Sequence, residues 1–352
     1  MPSYLKKYPF LCIVLLLTPI IFSTACDSKR MQETSEPLSR TEFLLGTVVK
    51  ISLYDFPSEE LLDLAMDKLR ELEDTLSINK TGTLIDAINA QAGIAPVIVY
   101  KATYEVIEKG LTYSQLTDGA FDLTIGPVVK LWNIGFPEAR VPSADEIKEV
   151  LPRVGFDKVV LNPEASSVYL MEKGMCLDLG GIGKGYAADT VATLLKEHGV
   201  KHALIDLGGN LYALGDKPNS APWSIGVQDP FNPRGKIIGR LKIVNQSIVT
   251  SGIYERYLED ENGHKYHHIL NPKTGYPYEN QIAGVTIISD SSTDGDALST
   301  AIFAMGLQEG LAFVENLEGI EAIFITLDAK VYTTKGIKES FIMTNEAFTL
   351  AN

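Results

Sequence analysis

The chain is 352 residues long and carries 31 lysines and arginines against 45 aspartates and glutamates, a formal net charge of −14 at pH 7. That balance argues against a nucleic-acid partner, which requires a basic face. A chain of this length buries a sizeable core, as one elaborated domain or as two subdomains.

The chain opens on Lys6 and Lys7, followed by an apolar run from Phe10 to Phe22 and the small residues Ser23-Thr24-Ala25 before Cys26. This is the order of a secretory signal, and the run, interrupted by Pro19, is short for a bilayer span. A cysteine directly after small residues resembles a bacterial lipoprotein box. In that reading residues 1–25 are removed and Cys26 becomes the lipidated first residue; an ordinary cleaved signal and an N-terminal membrane anchor are the alternatives. Removal takes Lys6 and Lys7 and no acid, which moves the charge from −14 to −16. Cys12 leaves with the signal and Cys26 is taken by lipid, so Cys176 has no disulfide partner and reads as a small buried hydrophobe. Residues 26–40 are polar and aperiodic, a flexible tether. The folded part is expected over 41–352, with no low-complexity segment and no repeat.

In chain order, alternating or β-branched runs predict strands at 48–53, 97–100, 158–161, 203–207, 223–227, 238–244, 285–288 and 322–327. Apolar periodicity predicts helices at 58–76, 103–116, 144–151, 187–198, 297–305 and 307–315. Asn262-Gly263 between 254–258 and 266–270 predicts a hairpin with a two-residue type I′ turn. Strands and helices do not alternate strictly, so the fold class is α+β with a mostly antiparallel sheet, rather than a doubly wound parallel one.

Three stretches carry candidate chemistry. DLGGIGKGYAADT (178–190) fits neither a Walker loop, since Gly185 follows Lys184, nor a dinucleotide fingerprint, since Tyr186 stands where its third glycine belongs. Its glycines let backbone approach a ligand, Asp178 can accept hydrogen bonds, Lys184 can meet a phosphate, and a helix starting near Tyr186 would aim free N–H groups at an anion. The alternative is a tight turn without ligand. In DALSTAIFAMG (296–306), Asp296 and Thr300 share a helix face. A carboxylate, a hydroxyl, a backbone carbonyl and substrate phosphates make a plausible Mg²⁺ shell; the alternative is an Asp N-cap with Thr bonding back. In TDGAFDLTIGP (117–127), an exposed Phe121 beside Asp122 suits a flat heterocycle, and a core Phe with a turn Asp is the alternative. His267 and His268 point to opposite faces of a strand, so one of them can reach a site. There is no zinc-spaced cluster and no G-x-S-x-G elbow.

These stretches, together with LGTVVKISLY (45–54), IDLGGN (205–210), SIVTSGIYERY (247–257) and HHILNPKTGYP (267–277), resemble the ApbE family, the FAD:protein FMN transferases, in the family's order. The resemblance implies an α+β, T-fold-like architecture that binds FAD and Mg²⁺ and transfers the FMN half of FAD to a threonine hydroxyl of a target protein, with AMP leaving. It implies that Leu45, Asn79, Ala120, Phe121, Asp122, Asp178, Lys184 and Leu270 contact FAD, and that Gly181, Asp296, Ser299 and Thr300 hold the metal. It places His268 near the reacting phosphates; either Asp296 or His268 would take the acceptor's proton. Partners implied are threonine-bearing acceptor proteins of membrane redox complexes. With Cys26 lipidated, the protein would be anchored to a bacterial membrane and face the periplasm. Three positions depart from common family residues: Leu45 replaces Met, Ser299 replaces an acid in some members, and Asn79 replaces Tyr. An FAD pyrophosphatase and a non-catalytic flavin-binding lipoprotein are the rival readings.

Overall fold

The structure, a computed structural model, describes residues 36–351, so the signal, Cys26 and most of the tether lie outside the described residues. Its frame is a nine-stranded sheet: β1 (Leu38–Leu44), β2 (Thr47–Leu53), β3 (Ala203–Leu207), β4 (Asn210–Leu214), β5 (Gln246–Gly252), β6 (Ile282–Ser289), β7 (Glu321–Thr326), β8 (Lys330–Thr333) and β9 (Thr349–Leu350). Strand order in the sheet follows the chain from β1 to β9. Neighbours are antiparallel except β8 and β9. The long helices are α1 (Glu59–Leu76), α2 (Lys101–Leu116), α3 (Gly183–Glu197) and α4 (Ser292–Val314); the first three are inserted between β2 and β3, and α4 joins β6 to β7. The α+β, mostly antiparallel expectation agrees with this architecture.

Strand periodicity divides the core in two. From β6 and β7, Val285, Ile287 and Phe324 meet Leu62, Met66 and Leu69 of α1, Val191 and Leu195 of α3, and Leu298 and Ile302 of α4. Ile288, Ile323 and Ile325 instead meet Trp223, Ile238, Leu241 and Phe341 of a three-stranded sheet on the other side. All eight residues of β6 are therefore buried, the pattern of a strand covered on both faces. A smaller cluster gathers Val128, Trp132, Ile134, Ile147 and Leu270.

Several expectations need correction. Leu38, Ser39 and Arg40 belong to β1 rather than to the tether: Leu38 registers with Leu53, and Arg40 pairs with Glu59 and Asp63 of α1. The hairpin is Tyr257–Glu259 with Lys265–His267. Its turn is longer than two residues, because the Asp260 carboxylate accepts the N–H groups of Asn262 and His264. Gly263 alone of the Asn-Gly pair has positive φ, so the turn is not type I′. α3 starts at Gly183 rather than near Tyr186. α4 starts at Ser292, capped by the Ser291 side chain, and is broken by Gly306 at φ 79° and ψ 179°, where the sequence places a boundary between two helices.

Candidate active site

The glycine loop is brought to α4 by two close approaches. Asp178 N–H donates to the Leu123 carbonyl (2.7 Å), and Cys176 bridges Ile125, so the 178 loop runs beside segment 120–126. At Gly181 a Cβ would lie 3.0 Å from Phe121 Cε2 and 3.4 Å from Thr300 Oγ1, so the loop, the aromatic and the helix face meet there. At Gly185 a Cβ would lie 2.2 Å from the Ser292 carbonyl oxygen; only glycine lets α3 and α4 touch backbone to backbone. Asp189 of α3 adds to this contact. Its carboxylate accepts the N–H groups of Ser292 and Thr293 (2.8 and 2.9 Å) and the hydroxyls of Ser291 and Thr293. A side chain of α3 thus satisfies the otherwise orphaned donors at the start of α4.

Asp296 lies in the second turn of α4 and is 3% exposed. It is not the N-cap. Its Oδ1 is 3.3 Å from Lys184 Nζ, and its Oδ2 accepts Gly185 N–H at 2.9 Å. Lys184 also donates to the Gly180 carbonyl (3.2 Å). The helix start is less open to a ligand than its sequence suggests, since Ile182 and Gly183 N–H groups bond Leu179 and Gly185 N–H bonds Asp296. Thr300 is half-buried and does not bond back along the helix; among the described residues its hydroxyl has no hydrogen bond. Ser299 is fully buried, its hydroxyl shared between Ser251 Oγ (2.8 Å) and the Asp296 carbonyl (2.9 Å). Burial raises the Asp178 carboxyl above the usual carboxylate range, opposed by Gly180 N–H and by the charges of Lys130, Lys184 and Arg256.

Mg²⁺ fits this donor set. The groups around the junction are hard oxygens: the Asp296 carboxylate, the unengaged Thr300 hydroxyl and the Gly180 carbonyl, which also accepts from Lys184. Among the described residues no three His, Cys, Asp or Glu side chains converge.

The two histidines divide, His267 at the end of the hairpin strand and His268 just beyond it. His267 is buried, with Nε2 on the Tyr278 carbonyl (2.7 Å) and Nδ1 accepting Ile269 N–H (3.3 Å), so both nitrogens are engaged. His268 is half-buried and its Nδ1 lies 3.2 Å from the Arg256 carbonyl. Burial pushes its pKa down to about 4, helped by the charges of Arg256, His267 and Lys184 and opposed by that hydrogen bond. The neutral ring must carry its proton on Nδ1 to meet a carbonyl, which leaves Nε2 as a free lone pair.

Other candidates fall differently. Phe121 is 4% exposed and packs under Gly181, so it is a core residue rather than an exposed platform. The Asp122 carboxylate accepts Thr124 N–H and hydroxyl (2.8 and 2.7 Å) and Phe156 N–H (3.2 Å); it is a turn former, its pKa raised by burial against those bonds. Ala120 is half-buried, its carbonyl 3.5 Å from the Tyr278 hydroxyl. Leu270 is 8% exposed beside Trp132. Leu45 sits at φ 54° in the β1–β2 turn, its N–H held by Glu73 Oε1 (2.8 Å); Glu73 Oε2 also takes Lys80 Nζ (2.6 Å). One carboxylate thus ties Leu45 to the loop of Asn79, whose side chain is exposed. Lys184 meets Asp296 directly, and Gly181 lies against Phe121 and Thr300, the latter one helical turn beyond Asp296. Among the described residues no hydrogen bond or ion pair joins Asn79 or Leu270 to these groups. Sequence reasoning misses Asp189 and Arg256, although both lie inside stretches it singles out.

A glycine loop and an Asp–Thr helix face, mounted on a mostly antiparallel sheet, place this chain in a known class: it belongs to the ApbE family, whose model matches residues 45–324. A FAD:protein FMN transferase of Treponema pallidum is 38% identical over 329 residues, 89% of this chain and 91% of its own. One from Klebsiella pneumoniae is 41% identical over 288 residues, 82% of this chain and 89% of that protein. Among solved structures, the ApbE protein of Thermotoga maritima has a TM-score of 0.80 at 31% identity, covering 87% of this chain and 99% of its own. The flavinyl transferase ApbE of Pseudomonas stutzeri in its apo form has a TM-score of 0.75 at 30% identity, covering 87% and 97%.

Proposed function

We propose that the protein is a FAD:protein FMN transferase that moves the FMN half of FAD to a threonine hydroxyl of an acceptor protein, releases AMP and uses Mg²⁺. The observation that carries this reading is the junction at Gly181 and Gly185, where a cation, a buried carboxylate and an unengaged hydroxyl meet beneath a glycine loop. Relatives named FAD:protein FMN transferase, at 38% and 41% identity, support it.

In this reading the acceptor oxygen attacks the phosphorus of the FMN half. A new O–P bond forms, the P–O bond to the AMP half breaks, and AMP leaves with the bridging oxygen. The hydroxyl proton goes to His268 Nε2, the lone pair left free by the Nδ1 contact to Arg256. Asp296 is the weaker base, because both of its oxygens already face donors, and its role would be to hold the metal together with Thr300 and the backbone of Gly181. When bound, Mg²⁺ neutralises charge on the phosphoryl oxygens. Lys184 supplies a second positive charge. Incubation with FAD, Mg²⁺ and a threonine-bearing acceptor tests the reading, with AMP and flavin fluorescence on denatured acceptor as readouts. AMP without attached flavin gives the pyrophosphatase instead; absence of AMP in every mixture refutes both.

The pyrophosphatase reading has one observation of its own. Asn79 is exposed on the loop after α1. A small amide there can hydrogen-bond a water where a tyrosine would stack and shield. FAD hydrolysis without acceptor is therefore part of the proposal. For location, the proposal keeps residues 1–25 as signal and Cys26 as the lipid attachment, with the folded unit outside the cytoplasm.

A further inference from the structure

Arg256 follows β5 in the segment leading to the hairpin, and it is exposed. The chain has 45 acids for 31 bases, yet among the described residues Arg256 forms no ion pair. Its neighbour Glu255 pairs with Arg234 instead (2.8 Å). The arginine is nevertheless held in place. Nη2 donates to the Gly46 carbonyl in the β1–β2 turn (3.3 Å), and its stem lies on Gly135, where a Cβ would come 3.3 Å from Cδ. Gly46 and Gly135 have φ of 69° and 96°, so neither position accepts a side chain without strain, and the seat for the stem stays open. The carbonyl of the same residue accepts both the main-chain N–H of His268 (3.1 Å) and its Nδ1–H (3.2 Å). Lys184 and Arg256 both act on Asp178 and on His268, so carboxylate and ring share the field of two cations. Lys184 is engaged with Asp296 and Gly180; Arg256 has no carboxylate within ion-pair distance among the described residues, although its charge reaches Asp178.

We propose that Arg256 is a positioning residue for the flavin dinucleotide: its guanidinium, together with Lys184, receives the diphosphate, while its carbonyl holds the His268 ring with Nε2 bare. The inference rests on the FAD reading above. A guanidinium is suited to this task, because it is always charged and presents several donors to phosphate oxygens. One residue then sets both the position of the phosphates and the tautomer of the group beside them.

The test uses the full protein with Arg256→Gln and Arg256→Lys, both of which keep the carbonyl. Binding of FAD and of riboflavin is followed by quenching of flavin fluorescence in chelator, and kcat/KM for AMP release is measured against pH with Mg²⁺. Arg256→Gln should weaken FAD about tenfold, equal to about 1.4 kcal/mol, and leave riboflavin, which has no phosphate, unchanged. Arg256→Lys should recover most of the loss. The charged groups bearing on His268 are Arg256, Lys184 and His267. Each disfavours its protonation, so removing one cation should move the acid limb of the profile to higher pH. Unchanged FAD affinity and an unmoved limb in Arg256→Gln would overturn the inference, as would an equal loss of riboflavin. Failure of the unaltered protein to bind FAD would instead bring down the functional reading on which it rests.

Discussion

Replacing Gly185 by alanine puts a Cβ 2.2 Å from the Ser292 carbonyl oxygen and 2.7 Å from Thr293 Cα. Both are backbone atoms of α4, so no side chain can rotate out of the way. The helices must part by about 1 Å to restore ordinary contact. The same movement takes the 2.9 Å bond from Gly185 N–H to Asp296 out of hydrogen-bonding range. Overpacking costs about 1–3 kcal/mol, and losing a hydrogen bond to a charged group costs about 1.5–3 kcal/mol. Part of the strain is relieved by the movement that breaks the bond, so about 3 kcal/mol in all is expected. At roughly 2–4 °C per kcal/mol for a large domain, Tm should fall by about 6–12 °C. Gly183→Ala is the matched control in the same helix. Its Cβ meets nothing nearer than Leu179 Cβ at 4.0 Å, and alanine's helix propensity makes it neutral or slightly stabilising. Thermal unfolding of both variants, with Mg²⁺ titration of AMP release, gives the comparison. Equal melting temperatures for the two would refute the backbone contact as the reason for glycine at 185.

Asp296→Ala should abolish Mg²⁺-dependent AMP release while FAD still binds; full activity in that variant, or in excess chelator, would remove the proposed metal role. Asn79→Tyr should shift FMN attached over FMN released toward transfer by about tenfold, a difference of about 1.4 kcal/mol between two barriers. An unchanged ratio at equal acceptor would make Asn79 simple loop variation. Cys26→Ser should yield soluble or unprocessed protein in place of a membrane-bound lipoprotein, and unchanged lipid labelling would contradict the proposed anchor.

What the sequence reveals follows from where apolar side chains repeat. α1 is legible because Ser58 caps it and Leu61, Leu62, Ala65, Met66, Leu69 and Leu72 bury one face. β1 is not, because it meets α1 through ion pairs, Arg40 with Glu59 and Glu42 with Arg70, and its polar residues resemble a tether. β5 is hidden for a related reason: Ser247, Thr250 and Ser251 are satisfied by Ser292, Thr286 and Ser299, partners remote in sequence. The site behaves likewise. Gly181, Lys184, Asp296 and Thr300 announce themselves as residue types in motifs, but their meeting depends on α3 touching α4. Phe121 reads equally as platform or core until Gly181 is laid over it. Asp189 reads as an ordinary helical carboxylate, and Arg256 as a lone charge in a loop. Their work lies in bonds to distant backbone, which no local pattern records.

The strands of the sheet stand in the order in which they occur in the chain, and that has a consequence for how such a protein can change over time. An insertion between neighbours in a meander leaves and returns at adjacent positions, so lengthening it alters no strand pairing. Closing a longer loop is also inexpensive in entropy, about 0.6 kcal/mol for each doubling. The segment between β2 and β3 holds α1, α2, the glycine loop and α3. Apart from the glycine loop, it can therefore be remodelled in length and in loop sequence while the frame that presents it persists. The edit that frame resists is a shift of α3 against α4, because Gly185 and Asp189 fix that one contact from the inserted side. Divergence in substrate or acceptor should accumulate in the turns of the insertion and spare its final helix.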